Sequence, residues 1–283
     1  AFDHADVPEY AFEKAGVVFN FSTDFLENWG NPVENARRFT DMHVYKNGRK
    51  NKFIHISPQV SLTGAKADRW IVINPGTEGL VALAIASVIQ KENGAYKFLK
   101  KYLQAYSPEK VAEATGVSAE ILSELAIDAM EQGPLLALGG GNVSATDQSV
   151  ETLVAVNILN AVSGALNKTI LFSDQTAPES STHQDLTQLI SDLNAGKIKL
   201  LIVDDSNPVY ALPPSMGFLQ AMKKAFVVSL ASQKSETTHA ANLVLPALTA
   251  YESWGDAFPR NGVRSIQQPV MSTVNMFDAR ARE

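Results

Sequence analysis

Residues 199–256 read KLLIVDDSNPVYALPPSMGFLQAMKKAFVVSLASQKSETTHAANLVLPALTAYESWGD, and the fold is decided here. Residues 200–203 and 226–230 are short apolar runs, rich in β-branched side chains and flanked by breakers. That pattern predicts buried parallel strands rather than helix. Each run is followed by a polar loop, residues 204–208 and 231–238. In a parallel sheet such loops leave together at the carboxyl edge, where ligands bind. A third run, residues 242–245, stops at Pro246, which has no N–H to give to a strand ladder.

Working outward, further strands are predicted at residues 16–21, 53–56, 70–73, 135–138 and 169–172. Helices are predicted at 32–39, 78–90, 95–104, 148–163 and 182–194, with two more opened by Ser107 and Ser118. Residues 1–10 read as an irregular lead-in and 41–51 as a flexible loop. Alternating strands and helices give an α/β fold built as two Rossmann-like lobes with mainly parallel sheets. The lobes are expected at residues 1–132 and 133–283.

The chain has 283 residues, 45% of them hydrophobic, enough for a large core divided between two domains. A formal net charge of -6 argues against a nucleic-acid partner, which calls for a basic face. No apolar run approaches the roughly eighteen residues of a membrane span, so direct insertion is not expected. Cysteine is absent, which removes disulfides, thiolate zinc sites and cysteine-held iron-sulfur clusters from this stretch. The five histidines, His4, His43, His55, His183 and His239, show no metal-site spacing. His55 alternates within a strand and reads as a satisfied core or surface histidine; His239 reads as a helix-surface group. No metal ligand and no catalytic residue is singled out.

Several motifs repeat an order found in one family. Along the opening stretch stand Asn207 and Pro208, then Glu236, Thr237 and Thr238 leading to Leu245 and Pro246, then Glu252, Ser253, Trp254, Gly255 and Asp256. In the first part stand Ser57, Pro58 and Gln59, then Thr63 with Ala67 and Asp68, then Pro75, Gly76, Thr77 and Glu78. This succession resembles the large subunits of the molybdopterin oxidoreductase superfamily. The Glu-Ser-Trp-Gly-Asp spelling is similar to the branch of polysulfide reductases and the B subunit of alternative complex III.

The resemblance implies the two central lobes of such a subunit, cut from a longer polypeptide. In pterin-binding relatives these lobes hold guanine nucleotide ends of the cofactor. Carried onto this sequence, the implied cofactor-binding positions are Ser57, Gln59, Gly76, Thr77, Glu78, Gly140, Asn142, Asn207, Glu236 and Thr237. Ser57 and Gln59 stand where the family has Asp and Arg, Glu78 where it has Asp, and Asn242 where it has Asp. Phe21 stands near the nucleotide's path in place of glycine. Thr77 reads equally as the cap of the helix opened by Glu78. The run Gly139, Gly140 and Gly141 reads equally as a phosphate cradle or a tight turn.

These changes lead to the expectation of no cofactor in this chain. Molybdopterin guanine dinucleotide is the alternative, within a catalytic molybdenum enzyme such as a polysulfide or thiosulfate reductase. The leading reading is a structural and electron-transfer part of a quinol-oxidising respiratory complex at the periplasmic face of a bacterial inner membrane. Its implied partners are an iron-sulfur domain of the same polypeptide and cytochrome and quinol-binding membrane subunits. The edge loops are expected to gather at one cleft. The stretch around Trp254 reads either as a subunit contact or as an aromatic packed under its own loop.

Overall fold

The computed structural model describes residues 8–46, 48, 50–141, 145–172, 181–260 and 263–272. In chain order the strands are β1 (Glu9–Tyr10), β2 (Val17–Phe21), β3 (Lys52–Ile56), β4 (Arg69–Ile71), β5 (Leu135–Gly139), β6 (Ile170–Leu171), β7 (Leu200–Asp204), β8 (Phe226–Leu230), β9 (Leu243–Val244), β10 (Gly255–Arg260) and β11 (Val263–Gln267). The helices are α1 (Pro32–His43), α2 (Glu78–Asn93), α3 (Lys100–Leu103), α4 (Pro108–Thr115), α5 (Ala119–Glu131), α6 (Ser149–Val162), α7 (His183–Asn194), α8 (Pro208–Ala211), α9 (Phe218–Met222) and α10 (Glu236–Ala240). The chain forms two compact units, Ala1–Asp174 and Gln175–Glu283.

The first unit is built on a parallel sheet in the order β4-β3-β2-β5. Every residue of β2 is buried, as a central parallel strand covered on both faces must be. Alternation assigns the faces. Val17, Phe19 and Phe21 face a core with Ile54, Ile56 and the buried stripe of α2, packed by α5 and α6. Val18, Phe53, Leu136 and Leu138 face a second core with Phe12, Phe25, Phe39 and Met42. Phe25 meets Phe39 and Phe53 edge-on, each with ring centroids 5.5 Å apart, the geometry that adds about 0.5–1.5 kcal/mol per pair to simple burial.

The lobe boundary expected between residues 132 and 133 is corrected by β5. Its Leu135, Leu136 and Ala137 lie in register beside Val17, Val18 and Phe19 of β2, so this strand completes the first sheet rather than opening a second. As an edge strand, β5 still has a ladder position to fill. The side-chain amide of Asn160 fills it, accepting from the N–H of Ala137 at 2.9 Å and donating to its carbonyl at 2.8 Å.

Other expectations shift locally. The end of the lead-in is strand β1, paired antiparallel with β6, so β6 lies outside the parallel sheet. Helix α1 runs on to His43, shortening the predicted loop. The helix expected at 95–104 is reduced to α3 flanked by 3-10 turns.

The second unit carries a three-stranded parallel sheet in the order β7-β8-β9. One face packs Val203 and Val227 against Leu193 of α7 and Phe218, Ala221 and Met222 of α9. On the other face Leu200, Ile202 and Phe226 remain 54%, 57% and 51% exposed. The stretch around Trp254, expected as a loop, enters an antiparallel hairpin of β10 and β11. The register shifts between Ala257 and Arg260, the span that contains Pro259, as a residue without an N–H requires.

Candidate functional site

In the first unit the strand order reverses between β2 and β5, which makes their carboxyl ends the topological switch point. Ser22, Thr23 and Asp24 follow β2 there, and all three are buried. Ser22 takes φ 56°, a left-handed conformation uncommon for a side chain with a Cβ. That turn brings its hydroxyl to Glu78 Oε1 at 2.9 Å and Ser57 Oγ at 3.2 Å. Ser57 Oγ also accepts from the N–H of Gln59 at 3.3 Å. The three edge positions after β2, β3 and β4 are thus joined through hydroxyls to one carboxylate.

Beside this chain lies a second one, built on Asn20. Its Oδ1 accepts from the N–H of Thr23 at 3.1 Å, and its Nδ2 donates to the carbonyl of Thr23 at 2.7 Å and to His55 Nδ1 at 2.9 Å. With Nδ1 accepting, the ring proton sits on Nε2, facing the carbonyl of Gln59 at 3.3 Å. Burial lowers the imidazole pKa below its usual 6.5, opposed by the Gln59 carbonyl and by Asp24. Gly64 lies against this ring so closely that a Cβ there would come within 2.6 Å of it.

Of the predicted positions in this unit, Ser57 and Glu78 are buried in the network and Gln59 is exposed except for its backbone. Thr77 does not cap α2: its hydroxyl turns back to the carbonyl of Asn74 at 2.6 Å. Gly76 and Gly140 hold φ +78° and +89°, and a Cβ on Gly140 would stand 3.0 Å from Leu153, a packing role. Asn142 lies outside the described residues. Phe21 points into the core and not toward the edge. Asn20, Ser22, Asp24 and His55 are the groups that sequence reasoning did not raise as site residues. The signal was present in Asn20 and His55, polar residues at inward positions of apolar strands.

This edge does not fit a dinucleotide pyrophosphate. The hydrogen-bonded cluster offers hydroxyls and the carboxylate of Glu78, with the buried Asp24 following in the same loop, and among the described residues it contains no Lys or Arg. The crevice is also narrow, because a Cβ on Gly141 would stand 2.9 Å from the carbonyl oxygen of Ser22. Two buried acceptors, Asp24 Oδ1 and Glu78 Oε2, have no hydrogen-bond partner among the described residues. They suit N–H donors, the reverse of what a phosphate presents.

In the second unit Asn207 joins the loop after β7 to the start of α10. Its Oδ1 accepts from the N–H and hydroxyl of Thr237 at 3.2 and 2.8 Å, and its Nδ2 donates to Glu236 Oε2 at 2.7 Å. The Thr237 hydroxyl also accepts from the N–H of Val209 at 3.2 Å. The bond from Asn207, with the Glu236 backbone N–H, holds the Glu236 carboxyl below its usual range. Ser235 and Thr238 close a capping box around the same turn. Asn207, Glu236 and Thr237 are brought together, and they bind one another.

Among the described residues no group of three His, Asp or Glu converges as a metal site, and no helix is long and apolar enough to cross a membrane.

Residues 8–281 match the molybdopterin oxidoreductase family. The chain is 28% identical over 294 residues to the menaquinone reductase, molybdopterin-binding-like subunit of Nitratidesulfovibrio vulgaris, covering 96% of this chain and 42% of that protein. It is 26% identical over 254 residues to the probable oxidoreductase YoaE of Bacillus subtilis, covering 76% of this chain and 37% of that one. Among solved structures, acetylene hydratase from Pelobacter acetylenicus superposes with a TM-score of 0.71 at 17% identity, covering 95% of this chain and 46% of its own, which speaks to the fold. The chain spans less than half the length of these curated relatives.

Proposed function

Because the chain belongs to the molybdopterin oxidoreductase family, we propose that it is a cofactor-free scaffold segment within a quinone-linked respiratory complex. The observation that carries this reading is the state of the two carboxyl edges. In the first unit the edge side chains are tied into a hydroxyl-carboxylate network without a cation among the described residues, and the crevice is narrowed by Gly141. In the second, the motif residues Asn207, Glu236 and Thr237 use their polar atoms on each other. An anionic dinucleotide would have to break these bonds.

The complex we have in mind resembles alternative complex III: this chain continues into an iron-sulfur domain and docks on cytochrome and quinol-binding membrane subunits at the periplasmic face. Support for the quinone link comes from the similarity to a menaquinone reductase subunit. This chain's part is to hold neighbouring redox subunits in register, with no chemistry on its own side chains. A second reading, a catalytic molybdenum oxidoreductase, draws on one observation, the partnerless acceptors Asp24 Oδ1 and Glu78 Oε2, which a purine base edge would satisfy.

Acid-iodine oxidation of the purified native complex, read by pterin fluorescence beside elemental analysis, separates the two. The scaffold reading expects neither pterin nor molybdenum or tungsten. A pterin signal stoichiometric with this chain would replace it with the catalytic reading.

A further inference from the structure

In a chain of net charge -6, residues 91–110 of the first unit carry five lysines against two glutamates, and residues 93–108 carry three lysines and no acid. This stretch, KENGAYKFLKKYLQAYSPEK, leaves α2 at Gly94 and winds through a 3-10 turn at Lys97–Leu99, then α3, then a second 3-10 turn at Gln104–Tyr106. Its inner side is anchored. Leu103 is buried in the core beneath α2, and Leu99 and Tyr106 pack against that core. Spacings of four and three put these residues on one helical face, which turns Lys97 and Lys101, also four apart, onto the opposite one. Lys97, Lys100 and Lys101 are exposed and enter no ion pair among the described residues. Beside them Phe98 is 77% exposed, Tyr102 48% and Tyr96 41%. Tyr96 meets Phe98 edge-on with ring centroids 6.0 Å apart, and Tyr102 lies 5.2 Å from Tyr106, so the rings form two pairs along the strip.

We propose that this strip lies on the surface of a lipid bilayer that contains anionic headgroups. The lysines meet the phosphates, while Tyr96, Phe98 and Tyr102 enter the boundary between headgroups and acyl chains. Helical segments that lie in a bilayer interface combine lysines with exposed aromatic side chains, and tyrosine suits that depth because its ring is apolar and its hydroxyl polar. An acidic protein patch would answer the lysines and leave the Phe98 ring in water; a bilayer interface takes both. Leu99, Leu103 and Tyr106 hold the segment already folded, so binding loses little conformational entropy. The segment lies on the membrane and not across it, since no helix among the described residues is long and apolar enough to cross. This lipid contact depends neither on a cofactor nor on the reading of the two carboxyl edges.

Flotation of the full chain with vesicles of phosphatidylglycerol and phosphatidylcholine, beside vesicles of phosphatidylcholine alone, tests the assignment. Binding should be about tenfold or more tighter to the anionic vesicles, and should weaken as salt is raised because the charges are exposed. Lys97→Gln, Lys100→Gln and Lys101→Gln together should weaken it on the order of a hundredfold, about fivefold per charge. Phe98→Ser should weaken it about tenfold through lost apolar burial, with every charge kept. All four side chains are exposed, so the circular dichroism of these variants should match that of the unaltered chain. Lys223→Gln with Lys234→Gln, in the second unit, should leave binding unchanged. Absence of binding to the anionic vesicles, equal binding to phosphatidylcholine alone, or full affinity in Phe98→Ser would overturn the proposal. So would loss of a neighbouring subunit from the native complex on the three lysine changes without any vesicle binding, which would give the strip to an acidic protein.

Discussion

The carboxyl edges of the two units satisfy their polar groups in opposite ways. In the first unit Asn20, Ser22, His55, Ser57 and Glu78 are buried to within a few per cent of complete, and each leans on partners from other strands. In the second, Asn207 and Glu236 perform a similar joining of loop to helix at the surface, where water substitutes for any bond that is lost. Burial therefore separates an edge whose geometry is over-determined from one that can rearrange. A buried polar group left without its partner costs its full desolvation; an exposed one does not.

The largest expected effect follows from removing the centre of the buried network. Asn20→Ala strips partners from His55 Nδ1 and from both backbone groups of Thr23. Urea unfolding should show a loss of about 2–4 kcal/mol. A loss under about 1 kcal/mol would mean that water reaches this edge, and the contrast between the units would fall.

Next in size is a pH effect centred on His55. Its folded pKa is depressed by burial, so the unfolded chain binds a proton more readily. Stability contributed by the neutral ring is present above the unfolded value of about 6.5 and declines as pH falls from there toward the folded pKa. His55→Gln should flatten that part of the stability profile. An unchanged slope in the variant would assign the acid sensitivity to other groups.

At the second edge, Asn207→Ala should cost about 1 kcal/mol, because its bonds to Thr237 and Glu236 are partly solvated. A loss matching that of Asn20→Ala would erase the distinction between the two edges. Smallest of all is Trp254→Ala. The side chain is 67% exposed and does not pack under its own loop, so stability should change by less than about 0.5 kcal/mol. Within the proposed complex the same change should loosen a neighbouring subunit, seen as a lost band on native gels; retention of all subunits would exclude Trp254 as a contact.

What the sequence revealed and concealed divides along local and non-local lines. The runs at 17–21, 52–56, 200–204 and 226–230 are strands because β-branched and aromatic content with flanking breakers is a local signal. The partner of β5 was not legible, since Leu135 beside Val17 is a pairing across more than a hundred positions. Asn20 and His55 each stood out as a polar residue in an apolar strand, but the bond between them, across 35 positions, was not legible. Thr77 was misplaced by a competition that sequence does not rank, between capping α2 and bonding back to Asn74. The hairpin after Trp254 was obscured by Pro259, which a register shift accommodates.

The central claim is that the switch-point crevice of the first unit is satisfied from within and holds no dinucleotide. A cryo-electron microscopy map of the native complex, at a resolution that shows side chains, examines that crevice directly. The account predicts Ser22 bonded to Glu78 and Ser57, with Gly141 against the Ser22 carbonyl and no density beyond protein and water. Continuous density of nucleotide size lying between Ser22 and Gly141, with a base edge on Asp24 or Glu78, would contradict it.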